Sequence, residues 1–240
     1  MNSDRRAQLI CSICGWVYAA PRSGGVACCS KTNRNVWHFG APLRHMNEGD
    51  GDLPLGTTFH PAPTDYAPPG GIVFYPRMVI EAGIRADALV SICPTDKSQI
   101  APAFHSGPVL TLHFDDIPCD TWTDRKLRAW RGPKPEDVQE ALAFGRQFQN
   151  QTLAVHCQAG QSRSASIALA IHADRLGPGN EGRAVEYLLA DGNPKIRPNP
   201  GIVRMADEIL GRNGAIESAL EAVCEPYVAW RRFWREQGCI

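Results

Sequence analysis

Hydrophobic and polar positions divide the sequence into two textures. Up to about residue 70 Gly and Pro are mixed with isolated aromatics, and no apolar period holds for long. Pro61, Pro63, Pro68, Pro69, Gly70 and Gly71 then read as a linker or loop. From Gly71 onward, short apolar runs alternate with longer stretches of helical spacing. Ile72 to Tyr75, with β-branched and aromatic residues, predicts a buried strand, and Ala88 to Ile92, Val109 to Phe114 and Thr152 to Val155 predict three more strands. Met78 to Gly83 predicts a short helix. Pro135 to Phe148 predicts a longer one, because Pro135 suits a first turn, Glu136 and Asp137 complement the positive end of the helix dipole, and Val138, Leu142 and Phe148 recur near helical spacing. Helices are also predicted at Arg163 to Leu176 with Gly177 as the stop, at Glu181 to Leu189, at Pro200 to Leu210 and at Ala215 to Trp234.

Strands alternating with helices predict an α/β fold: a mostly parallel central sheet flanked by helices on both faces, with a helical C-terminal end. The expected organisation is a poorly ordered N-terminal extension over 1–70, a catalytic domain over 71–212, and a C-terminal helix over 213–240.

Composition narrows the class of function. The chain has 240 residues with 25 Lys+Arg against 25 Asp+Glu, so it lacks the basic excess of a nucleic-acid binder or a polybasic membrane anchor. No stretch approaches the roughly 18 apolar residues of a bilayer span, and Met1 to Ile10 lacks the apolar centre of an export signal. A cytoplasmic address is the expectation. The nine cysteines are then expected to be free, metal-binding or catalytic rather than a disulfide framework.

The candidate chemistry lies in His156-Cys157-Gln158-Ala159-Gly160-Gln161-Ser162-Arg163-Ser164, between a predicted strand and a predicted helix. A tight loop in that setting can converge its backbone N–H groups on one point, and the helix aims its own free N–H groups at the same point. Gly160 lets the backbone turn, and the planar fork of Arg163 matches two oxygens of a phosphate. The same positive field favours the thiolate at Cys157, the nucleophilic form. Ser164 is placed to hydrogen-bond the sulfur and ease its departure, while His156 is assigned to orient the loop rather than to act as a base.

The leaving oxygen needs a proton, which a carboxyl group can supply before acting as base toward water. Asp115 and Asp116, after the Val109 to Phe114 run, are the candidates, and Asp120 and Asp124 further along the loop stay open. The bland reading of any one of them is a turn or a helix cap.

The pattern His-Cys-x-x-Gly-x-x-Arg-Ser after a strand and before a helix resembles the cysteine-dependent protein tyrosine phosphatases. It looks closest to the compact dual-specificity group and to a bacterial branch of predicted tyrosine phosphatases. The resemblance covers about Gly71 to Gly211. It implies a dual-specificity phosphatase-like fold, a phosphocysteine at Cys157, and phosphate held by Arg163 and the N–H groups of Gln158, Ala159, Gly160, Gln161 and Ser162. It further implies a general acid at the Asp-before-Ile position, which is Asp116, and a supporting role for Asn199 in Arg197-Pro198-Asn199-Pro200. Helix capping is the alternative for Asn199. The small tyrosine phosphatases and arsenate reductases place the nucleophile before the acid, whereas here Cys157 follows Asp116. Loop lysines, typical of relatives acting on inositol lipids, are missing. The expected substrate is a phosphorylated protein, mainly phosphotyrosine, or a small phosphate ester, with no cofactor and no metal. A module that binds phosphopeptides through the same loop without turnover is the alternative.

Other features carry weaker signals. Cys11-x-x-Cys14 with Cys28-Cys29 offers four thiolates but lacks the second Cys-x-x-Cys of a zinc site. Thr121 to Lys134 reads as an insertion with interleaved Trp and basic residues. Cys93 or Cys119 is a candidate to form a protective disulfide with Cys157 under oxidation. The aromatic and basic residues of Trp230 to Arg235 are expected to pack a terminal helix onto the core.

Overall fold

The computed structural model describes the backbone of residues 8–11, 17–19 and 43–46, together with residues 71–81, 86–96, 100–104, 107–123, 129–190 and 193–240. The chain divides into two compact units, Met1–Pro61 and Ala62–Ile240. The first contains a three-stranded antiparallel sheet of β1 (Gln8–Cys11), β2 (Val17–Ala19) and β3 (Leu43–Met46) in the order β2-β1-β3. The side chains of Cys11, Cys14, Cys28 and Cys29 lie outside the described residues, and so do Asp124 and the basic residues 125–128 of the expected insertion.

The second unit is an α/β domain. Strands β4 (Ile72–Pro76), β5 (Ala88–Cys93), β6 (Val109–His113) and β9 (Leu153–Cys157) form one sheet in the order β4-β9-β5-β6, with every pair parallel. The two inner strands, β5 and β9, are buried at every position, which explains their continuous apolar runs in place of an alternating pattern. The pleat sends Val90 and Val155 into the main core and Leu89 and Ala154 to a smaller cluster on the other face. Ile80 of the short helix α1 (Arg77–Glu81) closes that second face.

The main core is built by helices. In α2 (Pro135–Gln147), Val138, Ala141 and Leu142 are buried, and the Asp137 carboxylate accepts from the Lys134 N–H at 2.8 Å, holding the first turn. Helix α3 (Arg163–Leu176) is buried from Arg163 through Ala173; its many Ala and Ser side chains let it lie close to β9, α2, α4 and α5 at once. Gly177, at φ 77°, ends it where the sequence places the stop. Helices α4 (Glu181–Leu189) and α5 (Pro200–Ile209) follow as expected.

Three features depart from the sequence reading. The single helix expected over 215–234 is two, α6 (Ala215–Val223) and α7 (Glu225–Glu236), divided at Cys224. Pro226 lacks an N–H and cannot continue a helix, but it fits the first turn of a new one. The insertion after Asp120 contains a small antiparallel hairpin, β7 (Thr121–Thr123) with β8 (Ala129–Arg131), and Trp122 packs edge-on against Trp234 of α7 at 5.5 Å. The third concerns the cysteines: Cys119 is bonded to Cys239, with Cα atoms 5.4 Å apart, rather than free or poised to pair with Cys157. Folding brings the chain end to this loop across 120 residues, which sequence spacing does not reveal. Cys93, Cys157 and Cys224 are free thiols. Among the described residues no helix is long and apolar enough to cross a membrane.

Candidate active site

Strand β9 delivers Cys157 to its C-terminal end, and α3 starts six residues later at Arg163. The loop between them doubles back tightly. Gly160 has φ 67°, and a Cβ there would lie 2.4 Å from the Pro76 nitrogen, so neither the conformation nor the space admits a side chain. Its N–H donates to the Cys157 sulfur at 3.3 Å, and the Ser164 hydroxyl lies 3.2 Å from that sulfur. These two groups can stabilise negative charge on the sulfur of Cys157, a residue only 2% exposed.

Two loop carbonyls are held from outside: Arg77 N–H donates to Gln158 O at 3.4 Å and Arg197 N–H to Gln161 O at 3.0 Å, while Ser162 O accepts the first intrahelical bond of α3 from Ser166 N–H at 2.9 Å. In a trans peptide the next N–H points away from the carbonyl, so the amides of Ala159 and Ser162 are turned from the two outer donors. Arg163 is buried; Nη1 donates to Phe114 O at 2.9 Å, and Nε has no partner among the described residues. Arg163 thus presents a buried cationic donor, unpartnered at Nε among the described residues, at the start of α3.

The two adjacent aspartates have separate fates. Asp115 is 2% exposed and accepts from Thr95 Oγ1 at 2.5 Å, from the Thr95 N–H at 3.5 Å and from the Arg131 N–H at 3.0 Å. Its own N–H donates to Arg131 O, so it ties β6 to β8. Asp116 is half-buried; its Oδ1 accepts from Ser162 Oγ at 2.7 Å and from Asn199 Nδ2 at 3.0 Å. It is therefore fastened directly to the loop that carries Cys157. Asp120 is exposed, and its carbonyl accepts from the Gly132 N–H.

Asn199 takes the capping role, and its other side-chain group reaches Asp116 rather than the loop after Cys157. Its Oδ1 caps α5 by accepting from the N–H groups of Gly201 at 3.0 Å and Ile202 at 3.3 Å, while Nδ2 reaches Asp116.

His156 lies in a chain of buried groups. Its Nδ1 is 3.4 Å from Cys157 O, and its Nε2 is 2.8 Å from Ser91 Oγ, which is 3.6 Å from Cys93 Sγ. Burial pushes the imidazole down to about 4, with the charges of Arg77 and Arg163 acting in the same direction. The ring is thus neutral at pH 7. A carbonyl only accepts, so the proton sits on Nδ1, and Nε2 accepts from the Ser91 hydroxyl. The sequence does not single out Ser91 or Thr95; they lie on and just after β5, and the parallel pairing of β5 with β9 and β6 brings them to the site. Arg131, one of the basic residues of the insertion, comes instead from β8 of the antiparallel hairpin.

Among the described residues no cluster of three or more His, Cys, Asp or Glu is arranged to hold a metal ion.

No family model and no curated protein matches this sequence. Among solved structures, the chain is similar to human DUSP28, at 17% identity and a TM-score of 0.44 over 65% of this chain and 96% of that one. It is similar to a mouse putative dual specificity phosphatase complexed with zinc tungstate, at 16% identity and 0.42 over 69% and 98%. A third neighbour is PTPMT1 in complex with PI(5)P, at 16% identity and 0.36 over 60% and 85%.

Proposed function

We propose that the protein is a cysteine-dependent phosphatase acting on phosphate monoesters, with phosphotyrosine in proteins as its main substrate. The observation that carries this reading is the environment of one sulfur: Cys157 Sγ receives the Gly160 N–H and lies against Ser164 Oγ, in a loop that ends at Arg163, whose Nε is buried without a partner among the described residues.

In this reading the Cys157 thiolate attacks phosphorus, an S–P bond forms, and the bond to the leaving oxygen breaks. Arg163 and the loop amides hold the non-bridging oxygens, and Asp116 gives its proton to the leaving oxygen. Water then attacks the phosphocysteine, Asp116 takes the water's proton, and the thiolate leaves with help from the Ser164 hydroxyl. Neutral His156 takes no proton in either step; its bond to Cys157 O fixes the backbone at the nucleophile.

The test is hydrolysis of para-nitrophenyl phosphate and of matched phosphotyrosine, phosphoserine and phosphothreonine peptides by wild type, Cys157→Ser and Asp116→Ala. The expected result is turnover by wild type with preference for phosphotyrosine, none by Cys157→Ser, and a loss in Asp116→Ala that grows with the basicity of the leaving group. Tight phosphopeptide binding by wild type without turnover would replace this reading with that of a binding module.

A further inference from the structure

Ser162 stands at the N-cap position of α3, where Ser ordinarily accepts from an N–H of the first turn, yet its hydroxyl makes no such bond. It donates instead to Asp116 Oδ1 at 2.7 Å. Asn199, from the start of α5, donates to the same oxygen at 3.0 Å. Both donors come from well-anchored positions: Ser162 is 3% exposed, and Asn199 is fully buried with its N–H on Ser166 Oγ at 2.6 Å.

A carboxylic acid has one carbonyl oxygen and one hydroxyl oxygen. The carbonyl oxygen accepts well and the hydroxyl oxygen poorly, so two donors converging on Oδ1 make it the carbonyl oxygen of the protonated acid. The proton then resides on Oδ2. Because the Ser162 hydroxyl turns toward Asp116 rather than capping α3, the first-turn N–H groups of the helix also stay available for an anion.

We infer that Ser162 and Asn199 are positioning residues for Asp116: they pin Oδ1 to the phosphate loop and leave Oδ2 as the oxygen that exchanges its proton with the leaving group and with water. This rests on the phosphatase reading above. In the first step the Oδ2 proton moves to the leaving oxygen as its bond to phosphorus breaks. In the second, Oδ2 takes the proton of the attacking water as the S–P bond breaks.

The experiment measures kcat and KM of wild type, Ser162→Ala, Ser162→Thr and Asn199→Ser on aryl phosphates whose leaving phenols span a range of pKa, from para-nitrophenyl to phenyl phosphate. Asn199→Ser keeps a residue able to cap α5 and removes the Nδ2 donor. Ser162→Ala is expected to lower kcat on phenyl phosphate by about tenfold, with a smaller loss on para-nitrophenyl phosphate and little change in KM, because only the poor leaving group depends strongly on the proton. Asn199→Ser should steepen the same dependence, and Ser162→Thr, which retains the hydroxyl, should restore it. Equal losses on every substrate, or none, overturn the inference while wild-type turnover keeps the phosphatase reading. A wild type inactive on all substrates removes both. Thermal melting of each variant separates misfolding from mispositioning, and Ser162→Ala decides alone if Asn199→Ser does not fold.

Discussion

Arg163 Nη1 donates to the carbonyl of Phe114 at 2.9 Å, so the side chain of the phosphate loop and the backbone leading to Asp116 are one hydrogen-bonded unit. Ser162, one residue earlier, joins the same two segments through Asp116. The loop that carries Cys157 and the loop that carries Asp116 are therefore fixed to each other by two side-chain hydrogen bonds.

Arg163→Lys should break this unit while keeping the charge. An ammonium offers no planar fork, so it can serve Phe114 O or a phosphate but not both. The expected loss in kcat/KM on para-nitrophenyl phosphate is about 100-fold or more, accompanied by weaker competitive inhibition by orthovanadate. Retained inhibition alongside lost turnover would mean that Arg163 acts on the acid loop alone.

Ser164→Ala removes the hydroxyl 3.2 Å from Cys157 Sγ. A hydrogen bond to a charged sulfur contributes about 1.5–3 kcal/mol, which helps the thiolate most when it leaves. Breakdown of the phosphocysteine should become rate-limiting, lowering kcat by roughly ten- to a hundred-fold. Rapid-quench kinetics should then show a burst of phenol close to the enzyme concentration.

The strands, α3 and the Cys157–Arg163 loop were legible in the sequence because each is a local pattern: an apolar run, a helix with a Gly stop, a short spacing. The place of Asp116 before Ile117 favours it only through the family resemblance, and nothing local in the sequence distinguishes its environment from that of Asp115. The difference is made by Thr95, Arg131, Ser162 and Asn199, which come from separate elements and meet the two aspartates only through the parallel sheet, the β7–β8 hairpin and the α5 N-terminus. The break at Cys224 was legible in principle, since Pro226 marks it. The Cys119–Cys239 bond was not, because a pairing across 120 residues depends on where α7 packs.

That disulfide should matter for stability. Closing a loop of this length removes chain entropy from the unfolded state, with a ceiling of about 4–5 kcal/mol. Cys239→Ser, or treatment with a phosphine reductant, should lower the melting temperature by several degrees or more, and the Cys119 thiol should become alkylatable. An unchanged melting temperature in both cases would show that the packing of Trp122 on Trp234 suffices to hold the chain end.

Acid should destabilise the fold through its buried histidines. Burial holds His156 at about 4 and His172 at about 3, the latter with Arg175 acting in the same direction. Both lie below the unfolded value near 6.5, so the unfolded chain binds more protons once pH falls below 6.5. Stability is full above that pH and declines down to about pH 3, by an order of 3 kcal/mol or more for each group. His172 is 2% exposed and its Nδ1 has no partner among the described residues, so His172→Leu should retain stability at pH 7.5. Urea unfolding at pH 7.5 and 4.5 should show a smaller acid penalty in that variant than in wild type.

Gly201 supplies a test of how closely the acid loop is fitted to the helix layer. It lies in the first turn of α5, where Ala would ordinarily gain about 0.5–1 kcal/mol over Gly. A Cβ there, however, would fall 2.2 Å from the carbonyl oxygen of Pro118, two residues after Asp116, and both partners are backbone. Gly201→Ala should therefore destabilise, by about 1–3 kcal/mol as in other overpacked sites. It should also lower kcat on phenyl phosphate more than on para-nitrophenyl phosphate, because the displaced loop carries Asp116. Gly182 is the control: it lies in the first turn of α4 with nothing within 4 Å of a built Cβ, so Gly182→Ala should stabilise and leave the leaving-group dependence unchanged. A stabilised Gly201→Ala variant with normal kinetics would mean that the acid loop yields without moving its carboxylate.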